Sequence, residues 1–349
     1  MLETVTIAGL PPIIAVSIEM SVEEAVRTAS VALVPAGVGI SVTVGQEVVL
    51  SASGTTVLTG YVRDVNPSHD RETRVLNVTL VSRTIDATEC SAIHPTGEVL
   101  NKNLADIARE FDQLGIGVED DGGLPTEPVH RLRVGESQFS TIERRARGRG
   151  ILIHDTAEGK LKLATRPAGT HVGGLRFGVN IENASATFTE QGRHSKVHVR
   201  GQATEGVDAQ QLRGQAVATD RGVSRDRPLV LQHEGESTTD RMKKRAEWQV
   251  KRAAGNAATA EIKVMGWRDG GGRIWTPNYL VHVKDDWIGI DGLMLIKKVT
   301  LEQESNDGDG TTATLSLADP RGFGGENPRG SSADAYSAPG NISATWEQE

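Results

Sequence analysis

Hydrophobic residues recur at every second position through much of Val5–Ser82, the period of a strand with one buried face. Val5–Ile7, Ile13–Met20 and Arg27–Val34 read as strands. Glu23 and Glu24 after Ser21 would also suit a helix over Val22–Leu33, but the run is rich in Val and Ser and stops at Pro35, which favours strand. Gln46–Leu50, Thr56–Val65 and Arg74–Ser82 continue the alternation. They are separated by Ser51-Ala52-Ser53-Gly54 and Asn66-Pro67-Ser68-His69-Asp70, both of turn composition.

The period changes between Gly97 and Pro167. Leu104, Ile107, Ala108, Phe111 and Leu114 fall on one helical face, with Asn103 as the cap and Gly115 as the terminator. A short strand over Ile116–Val118 and the turn-rich EDDGGLPTEP follow. A second helix is expected over Gln138–Arg147, with Phe139, Ile142 and Ala146 as its stripe and Ser140-x-x-Glu143 as a capping box. Ile151–His154 and Lys160–Ala164 pair as a hairpin across Asp155–Gly159.

From Thr170 to Pro320 the pattern returns to strands with one helix, Ser237–Gly255, whose sparse stripe is Met242, Ala246, Val250, Ala253 and Ala254, with Trp248 off it. Asn183–Thr189, Ser195–Gly201, Ala216–Thr219, Ala257–Val264, Tyr279–Lys284, Trp287–Ile290, Met294–Gln303 and Thr311–Leu317 are the strands. Arg321–Glu349, rich in Gly, Ser, Pro and Asn, is expected to be extended or disordered. The organisation is therefore mainly β with an α+β insert: 1–96 β, 97–168 helix-strand-helix-hairpin, 169–320 β with a helix at about 237–255, and a tail at 321–349.

Composition fits several small β units better than one large enzyme core: 349 residues, 37% hydrophobic, 4% aromatic, 39 glycines. No apolar run reaches membrane-spanning length, and MLETVTIAGLPPI lacks the basic and apolar regions of a secretion signal. Cys90 is the single cysteine, so no intrachain disulfide forms, consistent with folding in a reducing cytoplasm. Net charge is −8, and residues 1–96 hold five Arg and no Lys against ten Asp and Glu. Such a balance argues against general electrostatic nucleic-acid binding.

The order of several segments resembles the baseplate hub proteins of Mu-like contractile-tailed phages. They are the run from Gly45 through ECSA (Glu89–Ala92), then NLADIAREF, GIGV, VGESQFSTIERRARGRGILI, EGKLKL and TRP. The resemblance covers about Met1–Phe323. It implies two tail-tube-like β-barrels flanking the small α+β domain, and a homotrimer whose six similar domains form a ring. It also implies tail tube protein, central spike protein and other baseplate subunits as partners, with DNA only in transit. The location implied is the tail baseplate of the virion, assembled in the host cytoplasm, without membrane insertion. An alternative from another class is a tail-associated cell-wall hydrolase or glycan-binding module. A type VI secretion spike would need a long C-terminal β-helix, for which this sequence shows no pattern.

Candidate chemistry is sparse. His194 and His198 would lie roughly 13 Å apart on one strand face, too far for one metal. The SNDGDG loop resembles a calcium loop at Asp307, Asp309 and Gly310, but Ser305 and Ser316 stand where the first ligand and the bidentate Glu belong; a hairpin turn is the better reading. Phosphate-binding glycine motifs are missing. Cys90 reads as a buried, inert thiol, and Glu136 with Glu143 as surface carboxylates instead of a hydrolase pair. Arg144, Arg145, Arg147 and Arg149 read as a solvated helix end complementing the dipole, and binding of an acidic partner surface or DNA is the alternative. Trp248, Trp267, Trp275 and Trp287 read as core, with one or two available for subunit contacts. Expected catalytic, cofactor-binding and metal residues are therefore none, and the chain is expected not to be an enzyme.

Overall fold

A computed structural model describes residues 2–35, 41–146, 151–201, 214–232, 239–304, 310–320 and 344–345. In the first region the alternation folds as expected. The strands are β1 (Val5–Ile7), β2 (Ile13–Ser21), β3 (Thr28–Leu33), β4 (Glu47–Ala52), β5 (Thr55–His69) and β6 (Arg74–Ser82). Val16, Ile18 and Met20 of β2 and Ala29, Val31 and Leu33 of β3 point into the same core. Ser53 and Gly54 both take positive φ (45° and 81°), which gives the β4–β5 hairpin the two-residue left-handed turn that matches strand twist.

One expectation fails here. Asn66-Pro67-Ser68-His69 is the end of β5, not a loop, with Pro67 opposite Leu76. That half of β5 pairs with β6 alone, so the proline nitrogen faces an open edge and removes no ladder bond. The turn shrinks to Asp70–Thr73, where Asp70 Oδ1 accepts the N–H groups of Glu72 (2.8 Å) and Thr73 (2.6 Å).

The α+β insert comprises α1 (Ile85–Glu89), β7 (Glu98–Asn103), α2 (Leu104–Glu110), β8 (Val118–Asp120), β9 (Thr126–Arg131), α3 (Gln138–Ala146), β10 (Leu152–Asp155) and β11 (Leu161–Ala164). Asn103 caps α2 through the Asp106 N–H, and Gly115 takes φ +67°. Helix α3 is capped by Ser137, whose Oγ accepts from the Ser140 N–H at 3.1 Å, and not by Ser140 itself. The sequence reading missed α1 and the β7–β9 pair. The first is a single turn, and the second joins polar strands that bury few apolar side chains. Leu104, Ile107 and Phe111 are buried in one cluster with Ile142, and half-buried Phe139 packs against it. Phe111→Ala should therefore destabilise the protein by about 3–5 kcal/mol in urea unfolding; a loss below about 1 kcal/mol would refute this packing.

The remaining strands are β12 (Gly169–Thr170), β13 (Leu175–Arg176), β14 (Ile181–Phe188), β15 (Lys196–Arg200), β16 (Gln215–Thr219) and β17 (Pro228–Gln232). Helix α4 (Thr239–Asn256) follows, then β18 (Ala258–Met265), β19 (Tyr279–Asp285), β20 (Ile290–Glu304), β21 (Thr311–Ala318) and β22 (Ala344–Thr345). Trp287 is not in a strand but in the β19–β20 turn, 89% exposed, and the two strands expected around it are one, β20. The turn forms because buried Asp285 accepts the Trp287 and Ile288 N–H groups. Of the C-terminal tail, Ala344–Thr345 pairs antiparallel with β16, and 321–343 and 346–349 lie outside the described residues.

Strand β20 organises the molecule. Leu295–Gln303 pairs with β21, Ile290–Leu295 with β19, and Lys298–Glu304 with β2. The last pairing fuses the first and last β regions into one sheet ordered β1-β4-β5-β6-β3-β2-β20-β21-β18-β14, with β12, β13 and β19 branching from it. Among the described residues this ladder is open, ending in β1 and β14, so the two β regions share strands and core instead of closing separately. A third, smaller core sits between β15–β16–β17 and α4, in a unit inserted between β14 and β18.

Candidate functional site

The residues singled out from sequence do not converge. His198 lies in β15 with Nδ1 3.3 Å from Gln215 Nε2, and no group of three His, Cys, Asp or Glu among the described residues could hold a metal. Asp307 and Asp309 lie outside the described residues, and Gly310 takes φ +71°. Cys90 is exposed, contrary to expectation, because the chain there is the C-cap of α1 and not a strand end facing the core.

Glu136 accepts two bonds from Arg144 (3.0 and 3.1 Å) and one from the Arg133 N–H. Burial alone would raise its pKa, but these donors more than offset it and hold the carboxyl below its usual range. Glu136 is thus an ionised clamp, not a proton donor paired with Glu143. Arg144 also donates to the Arg131 carbonyl, so it ties α3 to β9 instead of extending into solvent; Arg147 and Arg149 lie outside the described residues. Beneath it His130 is buried, Nε2 2.9 Å from Thr141 Oγ1. Burial, then the charges of Arg144 and Arg145, push its pKa down to about 4. An unfolded imidazole titrates near 6.5, so acidification below that protonates the unfolded chain first. The stability due to neutral His130 is complete above about pH 6.5 and falls by about 3 kcal/mol on reaching pH 4. Urea midpoints at pH 7, 5 and 4 should show this slope, and His130→Gln should flatten it.

The polar side chains that the fold does bring together lie where the three parts of the chain meet. Arg27, at the start of β3, is buried against Asp155 at the end of β10: Nε to Oδ2 is 2.9 Å, and the Arg27 backbone N–H also reaches Oδ2. Its Nη1 donates to the Val57 carbonyl, and Ser82 Oγ accepts the Arg27 N–H while bonding Thr84 Oγ1 at 2.7 Å. The insert is thereby locked to the first β region.

Arg268 grips Glu3 (2.7 and 3.1 Å) and the Ala52 carbonyl, while Gln303 exchanges two bonds with the Glu3 backbone. The Arg268 hydrogen bonds hold the Glu3 carboxyl below its usual range. His171 is buried 2.8 Å from Asp269, accepts the Thr276 N–H, and lies between Trp275 and Tyr279. Burial pushes its pKa down. A cavity of about 480 Å³ opens between these clamps, lined by Arg27, Asp155, Arg273, Asn278 and Tyr279 among others.

These groups are ion pairs and backbone acceptors. Their chemistry is that of rigid joining. Sequence reasoning missed all of them, yet a signal existed. Asp155 lies two residues after Ile153 and Arg27 two before Ala29, so strand periodicity puts both charges on core-facing positions. Trp267 and Trp275 are core as expected, while Trp248 is half-buried and Trp287 exposed.

This fold is shared with solved phage tail proteins. The chain matches the 43 kDa tail protein of prophage MuSo2 from Shewanella oneidensis with a TM-score of 0.79 at 26% identity, covering 92% of this chain and 99% of that one. It matches the tail protein from Neisseria meningitidis MC58 with a TM-score of 0.75 at 19% identity, covering 93% and 98%. Residues 84–165 match the second domain of the baseplate hub protein gp44-like family, and residues 238–326 the fourth domain of the Mu phage baseplate assembly protein GpP. Baseplate hub protein gp44 of Escherichia phage Mu is 29% identical over 304 residues, 83% of this chain and 79% of that protein. These likenesses, of two segments and of the chain over most of its length, support a baseplate hub of a Mu-like phage tail.

Proposed function

We propose that this chain is a mechanical hub: a homotrimer whose subunits form a ring, with the tail tube on one face, the central spike on the other, and a passage for DNA. The observation that carries the reading is the β2–β20 pairing. It makes the two β regions one rigid body, with the insert clamped on by Arg27–Asp155. A closed ring of three chains, each bringing two similar β regions, would offer six units to a six-fold tube and three-fold symmetry to a spike. The role is structural and not catalytic; Glu136, considered for chemistry, is engaged by Arg144. Part of the acidic excess of residues 1–96 lines the passage, where a basic wall would bind phosphates and slow the genome.

Sedimentation equilibrium should give a mass of three chains, approached as concentration rises. A strictly monomeric mass at high concentration and in assembled particles would refute the ring. Reversing passage-facing carboxylates to Lys should leave assembly intact and slow genome delivery, less so in high salt.

A further inference from the structure

The chain is acidic overall, but one part is not. Residues 189–257, the unit inserted between β14 and β18, carry thirteen Lys and Arg against nine Asp and Glu. Its helix α4 uses one face completely: Met242, Ala246, Val250 and Ala254 recur every four residues and are buried, the first three against β15 and β16. On the opposite side Lys244, Arg245, Trp248, Lys251 and Arg252 follow each other at helical spacing, with no carboxylate among them. Lys244 and Arg252 are exposed, and the other three are half-buried. Arg245 and Arg252 stack over Trp248 with guanidinium carbons 5.5 and 5.2 Å from its ring centroid. A tryptophan at the centre of the polar face contributes nothing to the helix's own core. Trp and Arg together, fixed in place before contact, are what protein interfaces concentrate at their centres.

We infer that the Lys244–Arg252 stripe of α4 docks against the acidic first β region of a neighbouring copy of this chain. The proposal rests on the ring reading above and names a contact within it. Charge complementarity selects the occupant: residues 1–96 hold ten carboxylates against five arginines, and the stripe is their opposite in sign within the same polypeptide. A contact of one patch on a different patch is heterologous, the kind of contact that builds a ring when its rotation closes. Nucleic acid fits less well, because the chain as a whole carries a net charge of −8 and a base stacking on Trp248 would have to compete with guanidinium groups already over its ring.

The test exploits the absence of lysine from residues 1–96. Full-length light and ¹⁵N-labelled chains are mixed, allowed to assemble and treated with a zero-length carbodiimide that joins Lys to carboxylates. Light-to-heavy cross-links from Lys244 or Lys251 to Asp or Glu of residues 1–96 are expected. The triple variant Arg245→Glu/Lys251→Glu/Arg252→Glu should weaken self-association at least about 100-fold with an unchanged melting temperature. Trp248→Ala, which alters no charge, should weaken it about tenfold or more. If the parent assembles but its inter-chain cross-links avoid the stripe and both variants assemble normally, the docking is wrong and the ring reading stands. A parent that never assembles overturns both. Loss of binding to a duplex of about 20 base pairs in the triple variant, with assembly untouched, would overturn the proposal and assign the stripe to nucleic acid.

Discussion

Replacing Asp155 with alanine should cost about 3–5 kcal/mol of stability, the toll of leaving a guanidinium buried without its carboxylate. Arg27 and Asp155 have side chains only 6% and 1% exposed, and Asp155 Oδ2 accepts from both the Nε and the backbone N–H of Arg27. Removing the carboxylate orphans the Nε donor and leaves the backbone N–H to Ser82 Oγ alone, while the Val57 carbonyl satisfies only one arm of the guanidinium. The loss should be read by urea unfolding of the full chain. The double variant Arg27→Met/Asp155→Leu should be more stable than Asp155→Ala alone, because no charge is then buried unpaired. Equal stability of single and double variants would show that water reaches the pair. Because this pair joins β3 to β10, Asp155→Ala should also speed amide exchange in the 84–165 insert relative to β20 and β21.

Gly60→Ala should be the most damaging single methyl in the first β region, at about 3 kcal/mol. Gly60 lies mid-strand in β5 opposite Ser82, where a Cβ would fall 1.8 Å from the Val81 carbonyl oxygen and 2.7 Å from the Ser82 Cα. Both obstacles are backbone atoms of β6, so no rotamer change relieves the clash. The strands must separate where β6 hands the chain to the insert. Gly54→Ala is the control: its φ is +81° but no atom lies within 4 Å of the added carbon, so only backbone strain, about 1–2 kcal/mol, is expected. If the two substitutions cost the same, the close approach of β5 to β6 is wrong.

Strain at Gly60 and charge at Asp155 act at the two ends of one joint. Ser82, opposite Gly60, also receives the Arg27 N–H that points at Asp155. Both variants should therefore weaken the attachment of the insert to the sheet, and if the chain assembles as proposed they should reduce assembly more than their melting temperatures alone suggest.

The chain order of most strands, the α2 cap at Asn103 and the buried faces of β2, β3, β6 and β18 were determined by sequence alone. Each depends on local period or local hydrogen bonding, which a short window of residues specifies. Leu104, Ile107, Phe111 and Ile142 were legible as a shared core for the same reason. Only tertiary structure decided that Ala15–Ser21 would pair with Lys298–Glu304, turning two expected barrels into one continuous sheet, since an edge's hydrogen-bonding groups carry no record of which distant strand will meet them. Tertiary structure likewise decided that Pro67 could stay in a strand, because its other edge is open. It decided that Arg27 and Asp155, a charge each on a core-facing position, are tolerable because each neutralises the other across 128 residues of chain.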